Sequence, residues 1–275
     1  APESTVIVGT FHILPYGGLQ SMGARFLAHV NRRTIKRFHA VISVSPAAKD
    51  FAHSTMHIDS TVIPNAVNLA KFNKGKRLAK HNDNVQTMVF LGRLVERKGC
   101  LELLTAVRML VMSGKFEKRR LVICGGGPLE TKVRKYIIDN ALQNFVTCVG
   151  KITEAEKPNY LASTDLAVFP SKSGESFGIV LVEAIASGAK VVLGGDNPGY
   201  RFVLNDNNET LVDPNNVQDF AMKIDELLKN GKRAKELGSE QRERIADFDV
   251  NKVGAQLQDI YITSIAKVTH KHNNG

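Results

Sequence analysis

Short apolar, β-branched runs alternate with longer amphipathic stretches along most of the chain. The short runs, Thr5–Phe11, Ala40–Ser45, Thr61–Ile63, Thr87–Gly92, Leu121–Gly125, Phe145–Gly150, Leu166–Phe169, Lys190–Leu193 and Thr210–Val212, read as strands. Helical spacing of apolar positions marks the stretches near 18–38, 46–56, 99–113, 128–142, 153–164, 178–187 and 216–245. Strand and helix taking turns in this way predicts an α/β protein, with parallel sheets covered by helices on both faces.

The pattern also divides the chain. Lys71–Asn84 is polar, basic and nearly free of large apolar residues, and reads as a linker between two sheets. The segment 85–246 carries six strand candidates and is a complete doubly wound domain by size. Residues 1–70 carry three, about half of an ordinary domain of roughly 100–150 residues. The expectation is a first domain truncated at its N-terminus, followed by a complete second one. The polar tail His270–Gly275 reads as disordered.

Composition adds limits to this picture. The chain has 275 residues, 43% of them hydrophobic and 23% charged, which fits a globular protein with a real core and excludes a disordered tail or a disulfide-stapled miniprotein. The longest apolar candidate, Ile179–Ala186, is interrupted by Glu183 and falls well short of the roughly 18 residues of a membrane span. No basic segment followed by an apolar one opens the chain, so a signal peptide is not expected. The net charge of +10 favours anionic partners without choosing among them. Cys100, Cys124 and Cys148 form no CxxC pair and read as reduced cytoplasmic thiols.

Four motifs carry chemistry. In Glu175-Ser-Phe-Gly-Ile-Val-Leu-Val-Glu183, two glycines, Gly174 and Gly178, bracket the start of a helix. Its first free N–H groups, near Gly178, Ile179 and Val180, and its dipole make an anion site suited to a diphosphate. Glu175 precedes the helix and Glu183 lies more than one turn inside, so the two carboxylates can serve opposite ends of one nucleotide-sugar. The second motif, Phe90-Leu-Gly-Arg-Leu-Val-Glu-Arg-Lys-Gly99, puts Arg93 and Lys98 just past a strand's carboxyl end, where open α/β sheets bind ligands. Two fixed cations there can neutralise a leaving diphosphate without a metal. The third, Gly9-Thr-Phe-His12, places a histidine past another strand end, able to donate to a hydroxyl or an anion. The fourth, Ile63-Pro-Asn-Ala-Val-Asn68, is a Pro-Asn turn with little signal of its own.

In this order the four motifs resemble the GT-B glycosyltransferases of family 4, retaining enzymes that use nucleotide-sugars, and GESFGIVLVEA over Gly174–Ala184 resembles their lipid mannosyltransferases. The likeness covers almost the whole chain. It implies a GT-B fold of two facing Rossmann-like domains, with Phe248–Ala266 as the helix that crosses back to the first. It implies hexosyl transfer, with GDP-mannose as donor and a lipid-linked or polyol hydroxyl, such as that of an inositol phospholipid, as acceptor. By the same likeness Arg93, Lys98, Glu175 and His12 are the catalytic set. Phe177, Gly178, Ile179, Val180 and Glu183 bind the donor, and Lys151 with Val149 and Gly150 lies at the base. No cofactor or metal is implied. The glycine-rich loop that opens the first domain in this family has no counterpart here.

Arg25, His29, Arg32, Arg33 and Lys36 fall on one broad helical face, with Phe26, Leu27, Val30 and Phe38 opposite. Such a helix can dock on anionic headgroups and resembles the membrane-contacting helix of the lipid mannosyltransferases. The expectation is a cytoplasmic protein for which the inner face of the cell membrane is a candidate surface. The alternative is a catalytically silent fragment that grips a nucleotide-sugar or a membrane. A nicotinamide dehydrogenase is disfavoured because Gly125-Gly-Gly-Pro-Leu-Glu130 lacks the third glycine of GxGxxG. Nucleic acid is disfavoured by dispersed basic residues and by the absence of tryptophan. A zinc hydrolase is disfavoured because His53-Ser-Thr-Met-His57 lacks the glutamate of HExxH.

Overall fold

The alternating pattern folds into two all-parallel sheets. The structure, a computed structural model, describes residues 5–12, 22–23, 26, 30, 34 and 37–273, with side chains as far as Thr269. Two compact units form: Ala1–Ala66 with Gly174–Phe177 and Asp247–Gly275, and Val67–Ser173 with Gly178–Ala246.

In the first unit, β1 (Val8–Phe11), β2 (Ala40–Ser43) and β3 (Thr61–Val62) lie in that order. The helix Pro46–Met56 starts where Ser45 Oγ accepts from the Ala48 N–H at 3.1 Å, with Pro46 in the first turn, where its missing N–H costs nothing. The long helix Val250–Asn273 gives Val253, Leu257 and Ile260 to a small core with Val8, Ile42 and Ile63. On the helical residues described between 22 and 34, Met22, Phe26 and Val30 are more than 60% exposed. Phe26 and Val30 therefore form no core-facing stripe. The basic positions Arg25, Arg32, Arg33 and Lys36, like His29 and Leu27, lie outside the described residues.

In the second unit, β4 (Gln86–Leu91), β5 (Arg119–Cys124), β6 (Val146–Gly150), β7 (Leu166–Phe169), β8 (Val192–Gly195) and β9 (Leu211–Val212) line up as β6-β5-β4-β7-β8-β9. Counted within the unit this is the 3-2-1-4-5-6 order of dinucleotide-binding sheets, with its switch point between β4 and β7. One face packs Met88, Phe90, Leu121, Ile123 and Leu193 against helices Cys100–Met112 and Val217–Lys229. Gln241, buried on helix Gly231–Ile245, substitutes for a strand partner. Its Oε1 accepts from the Val192 N–H at 2.9 Å and its Nε2 donates to the Val192 carbonyl at 2.8 Å.

Three sequence expectations change. The stretch 71–84 is no solvated linker. Helix Leu69–Phe72 buries Phe72, the Lys76 and Leu78 N–H groups donate to Asn159 Oδ1 and Ser163 Oγ, and Arg77 pairs with Asp165 at 3.1 Å. These anchors are polar and distant in sequence, which is why hydrophobicity hid them. The span 216–245 is two helices. Asn230, at φ −89° and ψ 73°, leaves the helical region and its side chain caps the next helix by accepting from the Arg233 N–H. A short helix, Pro198–Val203, forms where no apolar period marked one, started by Asn197 accepting from the Tyr200 N–H at 3.0 Å.

Candidate functional site

At the carboxyl end of the second sheet, beside the switch point, lies an open cavity of roughly 760 Å³. Three loops and one helix end build it. The loop after β4 supplies Gly92, Arg93 and Lys98, the loop after β5 supplies Gly125–Gly127, and that after β6 supplies Lys151, Ile152 and Glu154. Helix Ile179–Ala186 supplies Ile179, Val180 and Glu183.

The loops are held by backbone contacts that demand glycine. The Gly92 N–H donates to the Cys124 carbonyl at 3.0 Å, and the Leu94 N–H to the Gly126 carbonyl at 3.0 Å. A Cβ on Gly125 would stand 1.9 Å from the Gly92 carbonyl oxygen, and Gly125 also has φ +145°. The Gly125–Gly127 run therefore lets two loops touch. That role accounts for its glycines without the dinucleotide fingerprint it only partly matches.

Gly178 caps the cavity's helix at φ +111°, with the Tyr200 ring where its side chain would be. The first N–H groups beyond it have no intrahelical acceptor, and Ile179 and Val180 line the cavity. Ile179 is 44% exposed, while the following turn is buried. An anion placed here meets free N–H groups, the positive helix end and nearby cations together.

Arg93 is exposed and has no ion-pair partner among the described residues; Lys98 is half-buried on the single turn Glu96–Lys98. Gly99, at φ +69°, ends that turn, and a Cβ there would stand 2.0 Å from the Pro170 carbonyl oxygen. On the same side, Lys172 Nζ reaches Glu102 Oε1 at 2.6 Å. Lys151 is exposed and its chain passes 3.1 Å from the position of a Gly126 Cβ.

Glu183 is the buried acid of the cavity, with 12% of its side chain exposed. Burial pushes its carboxyl above the usual glutamate range, against the pull of Lys157. Lys157 Nζ contacts both Glu183 oxygens, at 3.1 and 3.2 Å, and reaches Glu154 Oε1 at 2.9 Å. Burial alone would lower the Lys157 ammonium, but Glu154 and Glu183 hold it above the ordinary lysine value. Sequence reasoning missed both Lys157 and Glu154. Their only signal was their place in the loop and helix that follow β6, the third strand end at the cavity.

Arg93, Lys98, Lys151, Ile179, Val180 and Glu183 thus share one cavity. Gly178, Val149 and Gly150 belong to the same unit, whereas His12, Glu175 and Phe177 belong to the first unit. His12 is exposed, one residue past β1. Glu175 is half-buried between Gly174, at φ +73°, and Phe177. The Phe177 ring is buried edge-on against Phe248, with centroids 5.0 Å apart. Its side chain belongs to the core. Arg25, Arg32, Arg33 and Lys36 lie outside the described residues. No helix of the described residues is long and apolar enough to cross a membrane.

Comparison with known proteins gives the family and the fold. Residues 72–244 match the family "Glycosyl transferases group 1" and residues 3–71 match "Glycosyltransferase Family 4". The chain is 32% identical over 260 residues to the phosphatidyl-myo-inositol mannosyltransferase of Mycolicibacterium smegmatis, covering 94% of this chain and 65% of that protein. It is 30% identical to the Mycobacterium leprae protein of the same name, covering 94% of this chain and 67% of that one. A third relative, the GDP-mannose-dependent alpha-(1-6)-phosphatidylinositol monomannoside mannosyltransferase of Mycobacterium tuberculosis, is 32% identical over 63% of this chain and 46% of its own length. The chain thus spans about two thirds of the length of the first two relatives. Among solved structures, Anabaena HepE in complex with UDP superposes with a TM-score of 0.79 at 18% identity, covering 94% of this chain and 72% of that one. Sucrose-phosphate synthase from Thermosynechococcus elongatus superposes with a TM-score of 0.78 at 22% identity, covering 94% and 68%. At those identities the likeness is one of fold, and the fold is GT-B.

Proposed function

The chain belongs to the glycosyl transferases of group 1, and we propose that it moves a hexose from a nucleoside-diphosphate sugar to a hydroxyl acceptor with retention at the anomeric carbon. The observation that carries this reading is the gathering of Arg93, Lys98 and the free helix end at Ile179–Val180 in one cavity, with Glu183 inside it. Cleaving the bond between sugar and diphosphate leaves negative charge on the departing phosphate. Arg93, Lys98 and the helix N–H groups are fixed donors for that charge and need not reorganise as it develops. They take the place of a metal in this mechanism. Glu183, ionised and held by Lys157, accepts from ribose hydroxyls, and Lys151 lies on the base side. Glu175 orients the hexose, and His12 donates to a sugar hydroxyl or to the acceptor.

The donor we propose is GDP-mannose and the acceptor a lipid-linked or polyol hydroxyl, such as that of phosphatidylinositol. Support comes from the activities for which the mannosyltransferase relatives are named. A peripheral encounter with an anionic membrane is supported by the exposed series Met22, Phe26 and Val30, spaced by one helical turn in a basic stretch of sequence. The test is turnover. GDP release from GDP-mannose should depend on vesicles that contain phosphatidylinositol, and the product should keep the α configuration. Release that ignores the acceptor, or an inverted product, contradicts the proposal.

A further inference from the structure

The second unit has another cavity at the amino ends of its central strands, about 440 Å³ in volume. Gln86 and Arg119, the first residues of β4 and β5, line it, whereas Leu91 and Cys124, the last residues of the same strands, line the donor cavity. Six-residue strands at about 3.3 Å per residue place the two roughly 17 Å apart. Lys115, Lys118 and Lys229 complete a basic wall, with Glu117 at the rim.

The charges in this cavity do not balance. Asp225 is the hub: Arg119 Nη1 and Lys229 Nζ each lie 2.8 Å from its oxygens, and Lys115 Nζ lies at 3.9 Å. Lys118 adds a fourth cation on a turn at φ +54°. Four cations facing Asp225 and Glu117 leave two positive charges over. Arg119 is 8% exposed, and its Nε and Nη1 are bound to Gln86 Oε1, the Lys115 carbonyl and Asp225. Its Nη2 makes no hydrogen bond among the described residues, although Arg119 lines the cavity. A buried guanidinium with one open nitrogen among exposed ammonium groups suits a tetrahedral dianion, bound by charge-assisted hydrogen bonds.

We infer that this cavity is a second anion site that takes a phosphate monoester dianion, carried by a small soluble molecule or by a lipid headgroup. The test uses the full chain with GDP present at saturation, so that the donor cavity is filled. Inorganic phosphate should still bind one site by calorimetry. Lys118→Gln with Lys229→Gln should weaken it at least tenfold and leave GDP affinity unchanged. Lys118→Gln alone, on the exposed turn, should weaken it about threefold, which covers a double variant that fails to fold. Flotation with phosphatidylcholine vesicles doped with phosphatidic acid, lost in the double variant, identifies a headgroup; phosphate binding without flotation identifies a soluble ligand. Absent phosphate binding, equal affinity in the variants, or complete competition by GDP would each overturn the inference. A chain that fails to bind GDP but still binds phosphate through Lys118 and Lys229 would reject the donor reading and keep this one.

Discussion

Lys157 Nζ sits 3.1 Å from Glu183 Oε1 and 3.2 Å from Oε2, joining two helices of the second unit across 26 residues of sequence. Burial and Lys157 act in opposite directions on the Glu183 carboxyl, and burial prevails. Burial raises its carboxyl above the ordinary 4.5, so the folded chain holds that proton more tightly than the unfolded one. The linked stability is therefore present at low pH and lost as pH rises through the folded value. The proposed ribose contact should run the other way, because a protonated Glu183 accepts one hydrogen bond fewer. Nucleotide affinity should fall as pH drops through that raised value. In Lys157→Ala the fall should begin at a higher pH, since the counter-ion is gone. Calorimetric affinities across pH 4 to 8 for both proteins check this (roughly the range between ordinary Glu and His pKa values), and coincident curves would separate Lys157 from the site.

Gly178→Ala should destabilise the fold as well as the site. The new Cβ would meet the Tyr200 ring at 2.6 Å, in a backbone conformation of φ +111° that side chains rarely adopt. A loss of about 2–4 kcal/mol in urea unfolding is expected from the two effects together. Gly188→Ala, also at positive φ but with no atom within 4 Å of its Cβ, should cost less.

Acid stability should depend on Asp225. Burial alone would push its carboxyl up, but Lys229 and Arg119 hold it below the usual range. A depressed carboxylate contributes stability above its unfolded pKa, and that contribution is lost as pH falls through the folded value. Asp225→Asn should therefore cost roughly 1–3 kcal/mol at pH 7 and progressively less below pH ~4. A constant difference between the two proteins over that range would contradict this.

The thiols should stay unreactive in the folded chain. Burial pushes Cys124 up to about 12 and raises Cys100 and Cys148 as well. Iodoacetamide at pH 7.5 (about one unit below the pKa of a free thiol) should label Cys148, the half-buried one, before the other two. Faster labelling of Cys124 at the cavity would show that the loops there open.

The nine strands of the described residues were legible because each overlaps a short apolar, β-branched run of the sequence. Their ends were less so. The run Lys190–Leu193 settles as Val192–Gly195, because Gly194 and Gly195 pair with Thr210 and β9 although they carry no hydrophobic signal. The site was half legible. Arg93, Lys98 and Glu183 announced themselves as charges beside strand ends and a glycine-capped helix. Lys157 did not, since its importance lies in a partner distant in sequence. Phe177 misled for the converse reason: it sits inside the motif, yet its ring packs on Phe248. Polar anchoring was the least visible feature. Gln241 on Val192 and Asn159 on Lys76 depend on contacts made only after the chain has folded.

The most direct test of the donor cavity is calorimetric titration of the chain with GDP, UDP and ADP, repeated for Arg93→Ala and Lys98→Ala. Each cation donates to a diphosphate oxygen in this account, worth about 1.5–3 kcal/mol per charged hydrogen bond. GDP should therefore bind selectively, and each variant should bind it at least tenfold more weakly while unfolding at an unchanged temperature. Equal GDP affinity in wild type and both variants, or no binding of any of the three nucleotides, would contradict the account.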